Sequence, residues 1–360
     1  MKNNNYKSAL KENDGIEPPA FINALSVSQI QNYRKKQPSA AELIQDILQG
    51  NITALSRAIT LVESTSVDHL DKANAVINGC LPYANASVRI GITGVPGVGK
   101  STFIEAFGKY LTAMGKKVAV LAVDPSSSIS YGSILGDKTR MEELVKDKNA
   151  YIRPSASGSS LGGVARKTRE SIILCEACGF DVLLIETVGV GQSETAVHSM
   201  VDFFLLLNLA GAGDELQGIK RGIMEMADLI VINKADGDNK NKAKLAKTEL
   251  NRALHLFPMK SSGWLPQTTT CSALENEGIE AVWKTIEDYF LLTTNNGYFV
   301  SKRADQNQYW LMETINDQLK NNFYNNPDIV TLLETNKKAV QNNELSPFAA
   351  ARLLLDAYFK

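Results

Sequence analysis

One run of residues has the types and the spacing needed to bind phosphate: Gly94-Val-Pro-Gly-Val-Gly-Lys-Ser101. It fits the pattern G-x-x-x-x-G-K-[ST] without a mismatch. Glycines let successive backbone N–H groups turn toward phosphate oxygens, and a helix that begins there adds partial positive charge. Lys100 is expected to contact the β- and γ-phosphates, and Ser101 to ligate Mg²⁺. The run predicts a nucleoside triphosphate site formed by Gly94, Val95, Pro96, Gly97, Val98, Gly99, Lys100, Ser101 and Thr102.

A second motif, Asn233-Lys-Ala-Asp236, follows an apolar run and has the pattern that reads guanine. The Asp236 carboxylate can accept hydrogen bonds from both N1–H and N2–H₂ of guanine, a pair that adenine does not offer. Asn233 and Lys234 are expected to brace the base and the neighbouring loops. The loop after the next predicted strand matches a segment that supports the base through backbone N–H groups, with Ser272, Ala273 and Leu274. The predicted nucleotide is therefore GTP or GDP rather than ATP.

Three acidic residues are candidates for magnesium binding. Glu186 ends the apolar run Val182-Leu-Leu-Ile185, where P-loop enzymes place an acid for Mg²⁺ and its waters. Asp124 ends another predicted strand and is placed to reach the ion, although an Asp that caps a turn before proline is the alternative. Asp137 lies in a loop after Ser/Gly-rich sequence, as either a switch carboxylate or a solvated loop acid.

Two further segments carry polar residues whose role the spacing leaves open. Gln192 comes three residues after Gly189, so a water-positioning role cannot safely be assigned to it. The segment 211–222 has glycines at both ends, and Lys220 or Arg221 could swing toward phosphates. On chemistry alone this segment is a flexible loop that leads into a helix.

The elements that must position these residues alternate between apolar runs and helical periodicity. Near-continuous Val/Ile/Leu runs are typical of a parallel sheet covered by helices on both faces. Strands are predicted at Arg89–Thr93, Val118–Val123, Tyr151–Arg153, Val182–Glu186, Phe204–Leu209, Leu229–Asn233 and Thr268–Ser272. Intervening helices are predicted at Val164–Cys178, Gln217–Met226, Lys240–Leu256 and Gly278–Leu292. The fold class is α/β, a P-loop NTPase with a mostly parallel sheet flanked by helices.

The chain divides into four predicted segments. Residues 1–38 are a polar tail, 39–86 a helical subdomain, 87–295 the P-loop GTPase domain and 296–360 a C-terminal helical segment. Ser346-Pro347 predicts a helix start, with a side-chain cap followed by proline at the first helical position. The helix after it is apolar over much of its surface, so it either packs back on the GTPase domain or forms a dimer contact. The dimer contact is favoured.

Composition excludes several classes of protein. The formal net charge is −1 over 360 residues with 44% apolar residues, and no long basic run indicates nucleic-acid binding. No apolar run approaches the roughly 20 residues of a membrane span. The polar start lacks the apolar region of a signal peptide, and four cysteines in so long a chain do not form a disulfide framework. We expect a cytoplasmic protein that binds neither membrane nor nucleic acid.

Together these motifs resemble one family closely, the G-protein chaperones of adenosylcobalamin-dependent acyl-CoA mutases, notably methylmalonyl-CoA mutase (MeaB/ArgK type). The resemblance spans residues 39–360 and includes a Tyr309-Trp310 helix. The matching segments are Gly94–Thr102, Val123–Ser127, Gly136–Met141, Ser157–Gly163, Glu186–Glu194, Gly213–Lys220 and Asn233–Asp238.

The resemblance implies a homodimer of GTPase subunits that gates cofactor loading and protects the mutase from inactivation. It implies Mg²⁺ at Ser101 with the carboxylates Asp124, Asp137 and Glu186 nearby. It makes the segment 211–222 a third switch that responds to nucleotide and mutase. The implied catalytic residues are Lys100, Asp124, Glu186 and Lys220.

Two other functions remain open. A metal-insertion GTPase is suggested by Cys175 and Cys178, since two thiols three residues apart can share a helix face, although apolar neighbours favour a buried face. A protein kinase of a transport system is the second, but the sequence shows no acceptor site. The histidines have no ligand or triad spacing, and a surface role is expected for His198.

Overall fold

The protein is described by a computed structural model that covers residues 38–64, 66–123, 141–154, 161–187, 193–211 and 221–359. Seven parallel strands form one sheet in the order β3-β2-β4-β1-β5-β6-β7. The strands are β1 Val88–Gly94, β2 Val118–Val123, β3 Ala150–Arg153, β4 Val182–Thr187, β5 Phe203–Leu209, β6 Leu229–Asn233 and β7 Gln267–Thr270. The predicted α/β fold class is confirmed.

All seven predicted strands are present, and the apolar runs of β1, β2, β4, β5 and β6 are buried, as suits a covered parallel sheet. The one clear difference is β7, which ends at Thr270 and not at Ser272. The backbone N–H of Ser272 instead donates to the Glu277 carbonyl at 3.0 Å, and the Glu277 N–H donates back at 3.1 Å. This bridge turns the chain away from the sheet and closes the loop 272–277.

Twelve α-helices accompany the sheet in the described ranges. They are α1 Ala40–Leu48, α2 Ile52–Glu63, α3 Val67–Cys80, α4 Lys100–Ala113, α5 Leu161–Ala177, α6 Ser193–His198, α7 Arg221–Met226, α8 Lys240–Leu254, α9 Ile279–Asn295, α10 Tyr298–Asn325, α11 Pro327–Gln341 and α12 Pro347–Tyr358. The predicted helices between the strands correspond to α5, α7, α8 and α9, with ends shifted by up to three residues where the ends are described. The predicted start of α7 at Gln217 lies outside the described residues.

Alternate residues along β4 pack into two different hydrophobic clusters, as the period of two requires. On one face, Leu183 and Ile185 of β4 join a cluster with α1, α2, α3 and α5. On the other face, Val182 and Leu184 join a cluster with α4 and α9. The N-terminal helices therefore share a core with one face of the sheet.

A buried ionic network fixes the beginnings of β1 and β5. Arg89 lies in β1 and donates through Nε and Nη2 to the carboxylate of Glu176 in α5, at 2.8 and 2.9 Å. Asp202, directly before β5, accepts from Arg303 Nε at 2.9 Å and from Arg303 Nη2 at 2.6 Å. The backbone N–H of Arg89 also donates to Asp202 at 2.9 Å. These bonds join β1, α5, β5 and the long helix α10 at one end of the sheet.

The C-terminal helices α10, α11 and α12 expose much apolar surface. The side chain of Ser346 accepts from the Ala349 N–H at 3.2 Å, and Pro347 follows, so the predicted helix start is confirmed. The helix α12 packs on α11, and its residues Ala350 and Leu354 are buried, whereas Phe348 is 87% exposed. Within the described ranges, every helix is too short or too polar to cross a lipid bilayer.

Candidate nucleotide-binding site

The phosphate-binding loop lies at the carboxyl end of β1, between that strand and α4. Glycine is required at two of its positions. A Cβ at Gly94 would lie 2.6 Å from the carbonyl oxygen of Leu207 on β5, and a Cβ at Gly99 would lie 2.8 Å from Asn233 Nδ2. Gly99 also has φ +93°, a left-handed conformation that other residues rarely adopt. The motif spacing thus matches a real steric requirement.

The predicted guanine motif is hydrogen-bonded directly to this loop. Asn233 ends β6, and its Nδ2 donates to the Val98 carbonyl at 2.9 Å. Lys234 Nζ donates to the Gly97 carbonyl at 2.8 Å, from a backbone held at φ +57°. A left-handed lysine costs of order 1–3 kcal/mol, and such strain concentrates at functional sites. The two motifs, more than 130 residues apart in sequence, form one structure.

The carboxylate of Asp236, the predicted guanine reader, is held by the loop after β7. Ser272 Oγ donates to Asp236 Oδ2 at 2.6 Å and accepts from the Glu275 N–H at 3.1 Å. The Ala273 N–H donates to Asn233 Oδ1 at 3.2 Å. The structure therefore brings Asp236, Asn233, Ser272 and Ala273 together, as the sequence predicted. Leu274 follows them and is 79% exposed.

Lys100 begins α4 and turns back over the loop. Its Nζ donates to the Gly94 carbonyl at 2.8 Å and to the Val95 carbonyl at 3.3 Å. Burial lowers the pKa of Lys100, while the negative charges of Glu186 and Glu194 oppose that shift. The ammonium is therefore partly desolvated, which strengthens its attraction for a phosphate.

The predicted magnesium ligands are only partly described. Glu186 in β4 pairs in register with Ile92 of β1, two residues before the loop, and Ser101 follows Lys100 at the start of α4. A hydroxyl and a carboxylate are oxygen donors of the kind that Mg²⁺ prefers. Asp124 and Asp137 lie outside the described residues, as do Gln192 and Lys220. Among the residues that are described, no group of three or more His, Cys, Asp or Glu side chains is placed to hold a metal.

The structure adds functional candidates that motif reading did not single out. Glu194 and Ser193 begin α6 and are 2% and 1% exposed, although a charged side chain is rarely so buried. At the loop end of the strands, Thr187 Oγ1 donates to Thr93 Oγ1 at 2.8 Å and ties β4 to β1. Ser193 and Glu194 both stand within the quoted segment Glu186–Glu194, but their burial follows from helix packing and has no local sequence signal.

The burial of Cys175, Cys178 and His198 tests what the sequence predicted for these side chains. Cys175 is fully buried and Cys178 is 3% exposed in the apolar core beneath α5, as their apolar neighbours indicated. Burial raises the pKa of Cys178 to about 11, so the thiol is protonated and a poor metal ligand. The expected surface role of His198 is wrong. Its ring is half-buried and packs edge-on against Phe204 with centroids 5.4 Å apart.

A parallel sheet with a phosphate-binding loop at the end of β1 and a guanine motif at the end of β6 defines a P-loop GTPase. The family model for the methylmalonyl-CoA mutase-associated GTPase MeaB matches residues 55–328. The chain belongs to this family and is a GTP-hydrolysing enzyme.

Named relatives from several organisms support the same assignment. The GTPase ArgK of Escherichia coli is 46% identical over 318 residues, which are 88% of this chain and 96% of that protein. The mouse mitochondrial methylmalonic aciduria type A homolog is 45% identical over 90% of this chain and 80% of its own length. A crystal structure described as a LAO/AO transport system kinase is 40% identical, with a TM-score of 0.71, over 90% of this chain and 99% of that one.

Proposed function

We propose that this GTPase is a chaperone of an adenosylcobalamin-dependent acyl-CoA mutase, with methylmalonyl-CoA mutase as the most suitable client. GTP binding and hydrolysis would gate the loading of the cofactor and protect the mutase from inactivation. The observation that carries the nucleotide side of the proposal is the direct bonding of Asn233 and Lys234 to the phosphate loop. The client is suggested by the family description and by the name of the mouse relative.

The proposed chemistry is phosphoryl transfer to water at the end of β1. Asp236 selects guanine, and Ser272 holds its carboxylate in place. Lys100 and the N–H groups of residues 94–102 stabilise the charge that spreads over the β- and γ-phosphates. Ser101, together with Glu186, Asp124 and Asp137, would hold Mg²⁺, which would supply positive charge to neutralise the phosphates.

The segments that change with the nucleotide would couple hydrolysis to the client. We assign this coupling to the segment 211–222, which contains Lys220, and to the sequence around Asp137. The sequence motifs identify no arginine finger, so we expect slow basal turnover that the mutase raises by ordering these segments. A homodimer formed through the C-terminal segment 296–360 would present two such sites, and the exposed apolar side chains of α10 to α12 support it.

The first experiment measures GTP hydrolysis by the purified protein with and without the methylmalonyl-CoA mutase of the same organism. The expected result is a slow basal rate that rises several-fold with the mutase. Lys100→Ala is the matched control, because it removes the phosphate-binding ammonium and should abolish both rates. An unchanged rate together with no detectable complex would exclude this client.

A kinase of a transport system is the second candidate, since the crystallised relative carries that description. The same reaction distinguishes it when GTP labelled in the γ-phosphate is used. A GTPase chaperone releases the label as inorganic phosphate, whereas a kinase transfers it to a protein. We expect all label to appear as free phosphate.

A further inference from the structure

A buried carboxylate near the phosphate-binding loop has no role in the function proposed above. Glu194 is the second residue of α6 and is 2% exposed. Its Oε2 atom has no hydrogen-bond partner among the described residues, and neither has the adjacent Ser193 hydroxyl. An unsatisfied buried polar atom costs about 1–3 kcal/mol, and more when the group is charged. A folded protein that keeps such a carboxylate calls for an explanation in terms of function.

The packing of α6 places this carboxylate near the loop. The helix packs on β1 and β4, the two strands whose carboxyl ends carry the phosphate loop and Glu186. Gly91 of β1 permits the close approach, since a Cβ there would lie only 3.1 Å from Val197 Cγ1 of α6. Val197 is fully buried, so the helix is fixed against the sheet and does not merely cover it.

The ammonium of Lys100 links this carboxylate to the substrate. Two of its three donors are accounted for by the carbonyls of Gly94 and Val95, which leaves one for a phosphate oxygen. The charge of Glu194 acts on the same ammonium. A phosphate held by Lys100 would therefore share its surroundings with the unpartnered oxygen of Glu194.

We propose that Glu194 is a catalytic residue for GTP hydrolysis and that its Oε2 accepts a hydrogen bond from the water that attacks the γ-phosphate. The proposal rests on the nucleotide site proposed above. It supplies the acceptor that small signalling GTPases take from a glutamine directly after the switch glycine, where this chain has Val190 after Gly189. Glu194 thereby takes the place of that glutamine.

The step balances with water as the only co-reactant. The water oxygen forms a bond to the γ-phosphorus, and the bond from that phosphorus to the bridging oxygen breaks. The electron pair of the broken bond remains on the β-phosphate of GDP. Glu194 takes one water proton and passes it to the new phosphate, which leaves as dihydrogen phosphate, and the carboxylate is restored.

Single-turnover hydrolysis by Glu194→Gln tests the proposal, with the affinities for fluorescent GDP and for a non-hydrolysable GTP analogue measured on the same samples. The amide keeps the shape of the side chain but cannot take a proton. We expect hydrolysis about 10²-fold slower, at the low end of general-base contributions, with both affinities within threefold of the unmodified protein. Glu194→Asp, which keeps the carboxylate on a shorter stem, should recover part of the rate.

The matched control is Glu170→Gln, which removes a carboxylate that pairs with Arg166 on α5 and should leave hydrolysis unchanged. A normal rate in Glu194→Gln would overturn the proposal. So would a loss of nucleotide affinity equal to the loss of rate, which would assign Glu194 to support of the loop. Tighter GTP binding and faster hydrolysis in Glu194→Gln would also overturn it, and would indicate that the carboxylate repels the phosphates. If Lys100→Ala bound GTP normally, the proposed nucleotide site would be wrong. That result is distinguishable from a failure of the Glu194 proposal alone, in which Lys100→Ala would still lose GTP binding.

Discussion

The strands β1 and β5 begin beside one cluster of buried charges and end beside another, and the two clusters differ in how fully their hydrogen bonds are satisfied. At the beginning of the strands, the Glu176 carboxylate accepts from Arg89, from Ser87 Oγ at 2.6 Å and from the Asn85 N–H at 2.8 Å. Arg303 there donates to Asp202 and to two backbone carbonyls at 2.7 Å each. Near the phosphate loop, by contrast, Glu194 keeps an oxygen without a partner in the described structure.

We interpret this difference as one of role: the charges at the beginning of the strands stabilise the fold, and the carboxylate of Glu194 is proposed to act on the substrate. Burial raises the pKa of Asp202, but the hydrogen bonds and charge of Arg303 outweigh it, so the pKa stays below its ordinary range. One donor of this network, Arg89 Nη1, has no hydrogen-bond partner among the residues that the structure describes. Each carboxylate oxygen of Glu176 and Asp202 nonetheless accepts a hydrogen bond from another protein group. Disruption at the beginning of the strands should therefore appear as lost stability, and disruption at their ends as lost affinity or rate.

The largest expected effect comes from Asp202→Ala. The substitution leaves Arg303 buried without its counterion, which typically lowers the free energy of unfolding by about 3–5 kcal/mol. Urea unfolding followed by circular dichroism measures the loss. Because the folded pKa of Asp202 is depressed, its stabilisation is present above the unfolded pKa of about 4 and is lost as the pH falls below it. The difference in free energy of unfolding between the unmodified protein and Asp202→Ala should thus become smaller below about pH 4.

Glu194→Gln is the matched substitution at the other end of the strands. Neutralising a buried carboxylate that has an unsatisfied oxygen should change the free energy of unfolding by less than about 1 kcal/mol, or should stabilise the protein. If Glu194→Gln lowered the free energy of unfolding by several kcal/mol and Asp202→Ala did not lower it, the two clusters would have the opposite roles.

A smaller effect is expected at His198, the last residue of α6. Burial lowers its pKa to about 4, and the positive charges of Lys302 and Lys260 act in the same direction. The unfolded chain binds a proton near pH 6.5 and the folded protein does not, so stability falls as the pH drops from 6.5 toward 4. At pH 5 the difference is about 2 kcal/mol relative to pH 7.

His198→Phe keeps an aromatic ring against Phe204 and removes the titration. Its stability relative to the unmodified protein should rise by about 2 kcal/mol between pH 7 and pH 5, measured by urea unfolding at both values. His255→Asn, at an exposed position, should leave the pH dependence as it is. If the free energy of unfolding depended on pH in the same way in His198→Phe and in the unmodified protein, the pKa of His198 would not be lowered by folding.

Much of the fold was predictable because local sequence carries it. Apolar runs such as Val182–Ile185 mark strands buried on both faces, and the loop and guanine motifs carry their chemistry in consecutive residues. The ionic network has no such signal, since Arg89 meets Glu176 across 87 positions and Asp202 meets Arg303 across 101. Glu194 was missed as an individual residue for the same reason. Its burial depends on how α6 packs on the sheet, which no local pattern records.

The smallest expected effect tests the satisfied part of the nucleotide site. Ser272→Ala removes the hydroxyl that holds Asp236 at 2.6 Å and accepts from the Glu275 N–H. A hydrogen bond to a charged group contributes about 1.5 kcal/mol, so GDP affinity should fall about tenfold. Stability should change by less than about 1 kcal/mol, because the loop 272–277 retains its backbone bridge to Glu277. Ser261→Ala, at an exposed serine, is the control in fluorescent GDP titrations. If Ser272→Ala destabilised the fold but bound GDP normally, this contact would belong with the structural charges at the beginning of the strands.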